Sequence, residues 1–84
     1  MDNTERLTRG EYLVGVSFNP GKNPQVDELK RKAADFIDAI ERVHIEGGFK
    51  SKAQENEVGR CKALAITHAE TAAMFCVKAA TKPV

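Results

Sequence analysis

Four side chains in the second half of the chain have types that could do acid–base or nucleophilic chemistry, namely Cys61, His68, Glu70 and Cys76. On a helix, His68 and Glu70 lie two residues apart and point to different sides. His68 is therefore predicted to be a polar residue on a packing stripe with a hydrogen-bond partner, and the cysteines to be small buried hydrophobic residues. The chain has no phosphate-binding glycine loop and no H-E-x-x-H motif. These features predict a protein that is not an enzyme and has no metal site or cofactor.

A second group of residues, near the N-terminus, has types that bind a nucleotide. Tyr12, the single tyrosine, precedes a rigid turn, and a helix N-terminus with the cations Lys30, Arg31 and Lys32 follows that turn. An aromatic face stacks a base with about 1–3 kcal/mol, and helix N-termini and basic side chains hold phosphates. An alternative remains open, in which Tyr12 and Phe18 pin the segment onto the rest of the fold and the cations form a solvated helix face.

The element that carries Tyr12 begins with a capping box, in which Thr8 and Glu11 satisfy the first N–H groups of a helix. The box predicts a short helix through Tyr12–Val16. The same apolar residues suit a β-strand, but the chain offers no second strand to pair with it. We predict a disordered end over residues 1–7 and an N-terminal flap over residues 8–22.

The first long helix is predicted over residues 24–46. Asn23 is a good N-cap, Pro24 fits the first helical position, and Gly47-Gly48 supplies a stop signal. The residues expected to form its apolar stripe are Val26, Leu29, Ala33, Phe36, Ile37, Ile40 and Val43.

The last helix is predicted over residues 52–81, starting from a capping box at Ser51 and Gln54, with Gly59 marking a kink or a close helix crossing. One apolar stripe, called the outer stripe below, consists of Val58, Cys61, Ala65, His68, Ala72, Phe75 and Ala79. A second stripe consists of Ile66, Ala69, Ala73, Cys76 and Ala80. A helix this apolar needs neighbours on more than one side. We therefore predict an all-α fold, a helical hairpin of two long antiparallel helices with an N-terminal flap, assembled as a homo-oligomer.

Length, cysteine content and charge are consistent with this expectation. A chain of 84 residues is one small domain (1–84) that buries only about 60–65% of its unfolded surface. Cys61 and Cys76 lie roughly 22 Å apart along one helix and cannot bridge each other, so association is the remaining support. The net charge of +1 argues against long nucleic acids as partners. Without an apolar leader or membrane span, the protein is expected to be intracellular, soluble and reduced.

Three blocks of the sequence resemble one family of small bacteriophage proteins. They are E-Y-L-V-G-V-S-F-N-P (Glu11–Pro20), L-K-R-K-A-A-D-F-I-D (Leu29–Asp38) and A-M-F-C-V-K-A-A-T-K-P (Ala73–Pro83). The family comprises the anti-CBASS cyclic-oligonucleotide sponges, which are similar to the phage sponges that counter Thoeris signalling. The resemblance covers nearly all of the chain beyond Arg9.

The resemblance implies a helical hexamer, a trimer of dimers, acting in the cytoplasm of the infected bacterium. Such proteins bind cyclic dinucleotides such as cyclic GMP-AMP, and some bind cyclic trinucleotides such as cyclic tri-adenylate. They do not cleave these messengers, and CBASS effectors are left without their activator.

Matched to the family's motifs, Tyr12 would stack on a base and Lys30 would meet a phosphate in a pocket between protomers, with Phe18, Asn19 and Pro20 shaping its wall. Arg60 and Lys32 would serve a separate trinucleotide site where three subunits meet. The alternative function is a non-enzymatic helical module that binds a host protein.

Overall fold

The computed structural model describes residues 6–83, and within that range it contains three α-helices and no β-strand. The helices are α1 (Arg9–Val14), α2 (Pro24–Glu41) and α3 (Lys52–Ala80). The all-α prediction is confirmed, and the flap forms a helix rather than a strand. Of the predicted disordered end, residues 1–5 lie outside the described range. None of the helices in that range is long and apolar enough to cross a membrane.

Helix α1 owes both of its ends to local sequence. The Thr8 hydroxyl accepts from the Glu11 N–H at 3.1 Å, and the Glu11 carboxylate accepts from the Thr8 N–H at 2.9 Å. This is the capping box that the sequence predicted. Gly15 ends the helix in a left-handed conformation with φ of 64°, which glycine adopts without steric cost. The helix therefore stops at Val14, two residues before the predicted end.

Helix α2 starts as predicted and ends early. The Asn23 side chain accepts from the Gln25 N–H at 2.8 Å, with Pro24 in the first turn. The prediction that α2 continues to residue 46 is wrong, because it ends at Glu41. The ammonium of Lys62 donates to the Glu41 and Val43 carbonyls, each at 2.9 Å. Those carbonyls would accept from the next turn if the helix continued, so the cation from α3 replaces that turn.

Helix α3 runs unbroken from Ser51, whose hydroxyl accepts from the Gln54 N–H at 3.0 Å. Only half of the predicted capping box forms, since the Gln54 side chain accepts from Lys50 instead of Ser51. The predicted close crossing at Gly59 does not occur within the chain, whereas the predicted kink stays a prediction. The helix continues through this residue, and no non-local atom lies within 4 Å of the position a Cβ would take.

The core of the hairpin lies between α2 and α3 and is small. It consists of Val26, Ala34, Ile37 and Ile40 from α2 and Ile66, Ala69 and Ala73 from α3. The helices are antiparallel, because the start of α2 lies near the end of α3, whereas the end of α2 meets Lys62.

Two expectations about this core are wrong. On α2, Phe36 and Val43 are 59% and 50% exposed, while Lys30 is buried. On α3, the second stripe faces α2 through Ile66, Ala69 and Ala73, and the outer stripe does not. Cys61 and His68 of the outer stripe, and Cys76 of the second stripe, are exposed in the single chain. Periodicity identified both stripes of α3, but only the register of the hairpin decides which one α2 covers.

Helix α1 packs against α2 through a direct backbone contact at Gly10. The Gly10 N–H donates to the Asp38 carboxylate at 2.8 Å. A Cβ on Gly10 would lie 2.1 Å from the Ala34 carbonyl oxygen, far inside the closest distance that two atoms tolerate. The position of the flap therefore depends on glycine at this residue.

We predict that Gly10→Ala lowers the free energy of unfolding by about 1–3 kcal/mol, because α1 must move away from α2 to accommodate the methyl group. Gly59→Ala is the matched control and should raise it by about 0.5–1 kcal/mol, since Gly59 lies inside a helix with open space around it. Urea unfolding followed by circular dichroism measures both. Equal stability of the two variants would contradict the close contact.

Candidate functional site

Lys30 is the buried charged residue around which the candidate site is built. It lies on α2 and is only 7% exposed. Its ammonium donates to the Gly15 carbonyl at 3.0 Å and also to the Phe18 carbonyl, and it lies 5.4 Å from the centroid of the Phe18 ring. Charge-assisted bonds to the end of α1 complement the negative end of that helix. One cation thus fixes the path of the chain from Gly15 to Phe18.

The turn after Phe18 is held by the side chain of Asn19. Its amide nitrogen donates to the Asn23 carbonyl at 2.7 Å and to the Asp27 carboxylate at 2.9 Å. Its amide oxygen accepts from the Asn23 N–H at 3.1 Å. The Asn19 side chain therefore fixes the conformation of the turn, and Pro20, the next residue, is exposed.

A groove of about 530 Å³ runs between this turn and the end of α3. Its lining consists of Phe18, Asn19, Pro20, Gly21, Asn23, Val26, Lys30, Val77 and Thr81. A second groove, of about 370 Å³, lies where α1 faces α3; its lining includes Leu13, Val14, Lys30, Glu70, Met74 and Val77. Lys30 and Val77 border both grooves. The floor is largely apolar, and the buried ammonium is the positive charge common to the two.

Tyr12 lies outside both linings and is 60% exposed, and Phe18 is 71% exposed. The alternative in which these two rings pin the flap is therefore wrong. The flap is held instead by Gly10, by Lys30 and by an ion pair of 2.8 Å between Arg31 and Glu11. The Arg31 guanidinium and then the Thr8 N–H keep the pKa of Glu11 below its usual value. The Tyr12 ring and the outer face of the Phe18 ring, whose other contact is the Lys30 ammonium, are accessible to a further partner.

Arg60 and Lys32 lie far from each other within one chain. Arg60 is exposed on α3, and its guanidinium binds both carboxylate oxygens of Glu57, at 2.6 and 3.0 Å. This contact lowers the pKa of Glu57. Lys32 pairs with Glu28 at 3.8 Å and borders a third groove with Cys76 of α3. Sixteen residues of helix, roughly 24 Å, separate Arg60 from Cys76.

The structure thus brings together four of the seven predicted site residues, namely Phe18, Asn19, Pro20 and Lys30. Tyr12, Lys32 and Arg60 lie elsewhere. Sequence reasoning missed Gly15, whose carbonyl binds Lys30, and Val77 and Thr81, which close the groove from the end of α3. The glycine at the end of α1 was a usable signal for the first. The other two follow only from the register of the hairpin.

A family model described as the Acb2/Tad1 hairpin domain matches residues 11–81. The chain belongs to the Acb2/Tad1 family. This is the anti-CBASS and anti-Thoeris sponge family, as the resemblance predicted. Its members are phage anti-defence proteins that act by binding and sequestering cyclic nucleotides and are not enzymes. Neither the curated proteins nor the solved structures searched include a match. The matched range starts at the residue before Tyr12 and ends at Thr81, so it includes α2, α3 and all of the 530 Å³ groove.

We predict that Lys30→Met lowers the free energy of unfolding by about 2–3 kcal/mol, because the Gly15 and Phe18 carbonyls lose their donor while partly buried. Lys32→Met is the control; Lys32 is exposed and pairs only with exposed Glu28, so its loss should change stability little. Urea unfolding and amide hydrogen exchange in α1 are the measurements. Unchanged exchange in α1 of the Lys30 variant would show that the ammonium does not hold the flap.

Proposed function

We propose that the protein sequesters cyclic dinucleotides such as cyclic GMP-AMP, and cyclic trinucleotides such as cyclic tri-adenylate, without cleaving them. It would act in the cytoplasm of the infected bacterium and deprive CBASS effectors of their activator. Family membership supports the general activity. The observation that carries the specific proposal is the ring of Tyr12, which is 60% exposed and lines neither groove of its own chain. An exposed aromatic ring from one protomer and a groove with a buried cation from another would suit a base linked to phosphates.

In the proposed dinucleotide site, a base stacks on Tyr12 and the phosphates approach Lys30. An ammonium group has three donors, and two of those on Lys30 are directed at carbonyls, so one is available for a phosphate oxygen. Phe18, Asn19 and Pro20 would form the wall. Because Lys30 and Asn19 already hold this wall in place, little ordering would be needed on binding, which favours the high affinity that sequestration requires.

Since Tyr12 does not line the groove of its own chain, we propose that the complete site forms between protomers of a homo-oligomer. Among the described residues, several large apolar side chains remain exposed in the single chain, with Phe36 at 59%, Met74 at 61% and Phe75 at 57%. Exposed apolar surface of this kind is typical of an interaction site. It favours a protomer whose remaining core forms between copies, and six is the number that we propose from the family.

The proposed trinucleotide site also needs more than one chain. Arg60 lies roughly 24 Å along α3 from the groove that Lys32 borders, a span too long for one small ligand to bridge. The two cations could meet a single ligand only if they came from different subunits. In the single chain the Arg60 guanidinium is paired with the Glu57 carboxylate. A phosphate would have to displace Glu57, and an exposed ion pair of this kind contributes little free energy.

We predict that Tyr12→Ala weakens binding of cyclic dinucleotides by about 5- to 150-fold, because base stacking contributes about 1–3 kcal/mol per base. Tyr12→Phe keeps the ring and should bind within a few-fold of the native protein. Isothermal titration calorimetry measures both, and light scattering checks that assembly is intact. Binding of native strength by assembled Tyr12→Ala protein would refute the assignment.

For Arg60→Ala we expect weaker binding of cyclic tri-adenylate by about ten-fold or more, with unchanged affinity for cyclic GMP-AMP, since a lost charge-assisted contact to phosphate costs about 1.5–3 kcal/mol. Lys50→Ala, which removes an exposed cation outside the grooves, is the control. Calorimetry with both ligands is the measurement. Unchanged trinucleotide affinity would mean that the site lies elsewhere.

A thermal shift panel of cyclic nucleotides decides between a sponge and the alternative helical module that binds a host protein. A ligand that binds only the folded state raises the melting temperature by mass action, so a sponge gains several degrees with at least one messenger. Chromatography of the released ligand should return the intact cycle. A panel without any shift would favour the module, whereas linear products would indicate a phosphodiesterase.

A further inference from the structure

Three consecutive residues at the start of α1 each bind the same face of α2. The contacts are an ion pair of 3.2 Å between Arg9 and Glu41, the hydrogen bond of 2.8 Å from Gly10 to Asp38, and the ion pair of 2.8 Å between Glu11 and Arg31. The three partners on α2 are spaced by seven and three residues, which places them on one side of that helix. The N-terminal turn of α1 is therefore tied to α2 at three points.

The two ion pairs lie on either side of the point where the helices touch. That point is Gly10, where the backbone of α1 lies so close to the Ala34 carbonyl that no Cβ would fit. Arg31 and Glu41, which hold the two ends of the contact, are ten residues or roughly 15 Å apart along α2. Contacts on both sides of a pivot resist rotation about it, so the ion pairs set the angle at which α1 crosses α2.

We propose, on the basis of the function proposed above, that Arg31 is a positioning residue that aims the Tyr12 ring at the ligand by binding Glu11. Tyr12 directly follows Glu11, and its ring is 60% exposed and lines neither groove. The direction of the ring therefore depends on the orientation of α1. A binding group has to be held within about 0.5 Å and 10–20° of its productive geometry, which a helix free to rotate about Gly10 would not provide.

The Glu11 carboxylate is suited to this task because its two oxygens have different partners. One oxygen accepts from the Thr8 N–H at 2.9 Å and caps α1, while the other accepts from the Arg31 guanidinium at 2.8 Å. The same guanidinium pairs with Asp35, one turn further along α2, at 3.0 Å. Arg31 is thus held on its own helix by one carboxylate and holds α1 by the other.

This ion pair is expected to matter more for binding than for folding. Arg31 is exposed and Glu11 only partly buried, and exposed ion pairs contribute little to the free energy of unfolding. Without the pair, α1 would keep its contacts through Gly10 and Lys30 and would stay folded over a wider range of angles. The apparent affinity falls in proportion to the fraction of molecules that are correctly oriented.

Glu11→Gln is the variant that separates the two tasks of this carboxylate. An amide has a single acceptor oxygen, so it cannot serve both the Thr8 N–H and the guanidinium, and glutamine is itself a usual member of a capping box. Asp35→Asn is the matched control, because it makes the same chemical change to the other partner of Arg31 and leaves the contact between the helices in place. Urea unfolding should show both variants folded.

Tyrosine fluorescence tests the orientation directly. Tyr12 is the single tyrosine and the chain has no tryptophan, so the emission reports on this ring alone. Glu11→Gln should lower the fluorescence anisotropy of the assembled protein, since the ring is then carried by a less restrained helix. Asp35→Asn should keep the native value. Equal anisotropy in the native protein and in Glu11→Gln would overturn the proposal.

Calorimetry with cyclic GMP-AMP tests whether the orientation matters for binding. We expect Glu11→Gln to weaken binding by about two- to five-fold and Asp35→Asn to leave it unchanged. In a Tyr12→Ala background Glu11→Gln should have no further effect, because an effect exerted through the ring disappears with the ring. Additive losses would overturn the positioning role. Tighter binding by Glu11→Gln would do so too, because it would mean that the released Arg31 contacts a phosphate itself.

The two measurements also separate this proposal from the function on which it rests. Native protein that binds no cyclic nucleotide, together with reduced anisotropy in Glu11→Gln, would reject the proposed function and leave the ion pair as the contact that orders Tyr12. Native binding together with unchanged anisotropy would reject the positioning role alone.

Discussion

Two buried or partly buried lysines fix how the helices of this small fold meet. The ammonium group of each donates hydrogen bonds to backbone carbonyls at or just after the C-terminal end of a neighbouring helix. Lys30 of α2 binds the carbonyls of Gly15 and Phe18 after α1, and Lys62 of α3 binds those of Glu41 and Val43 after α2. The last carbonyls of a helix have no partner within it, and a cation there satisfies them and complements the dipole. With a core limited largely to alanine, valine and isoleucine, the chain relies on such directed contacts to fix how its helices meet.

This arrangement gives the candidate site its rigidity. The groove wall from Phe18 to Asn23 is an irregular segment, yet Lys30 supports its start and Asn19 supports its turn. A surface that is already fixed loses little conformational entropy when a ligand binds. The same contacts anchor α1 without the Tyr12 ring, which remains 60% exposed. In the proposed site, Lys30 and Asn19 would serve both stability and binding, whereas Tyr12 would serve binding alone.

The sequence predicted what depends on neighbouring residues and missed what depends on distant ones. The caps at Thr8, Asn23 and Ser51 were predicted correctly, because a capping side chain and its N–H lie within three residues of each other. The early end of α2 was not predicted, and the cation that satisfies this end is Lys62, twenty-one residues beyond Glu41. The burial of Lys30 was missed for a similar reason, since a lysine is buried only where tertiary structure supplies acceptors.

The connection between α2 and α3 is suited to insertions, because Lys62 of α3 already satisfies the carbonyls at the end of α2. The cation satisfies the Glu41 and Val43 carbonyls, and at Gly47 and Gly48 no non-local atom lies within 4 Å of the position that a Cβ would take. Lengthening such a loop adds little closure entropy. The Gly47-Gly48 pair is accordingly a permissive position for inserting a peptide tag or a fluorescent label, because it lies outside the three helices and outside the linings of the grooves described above.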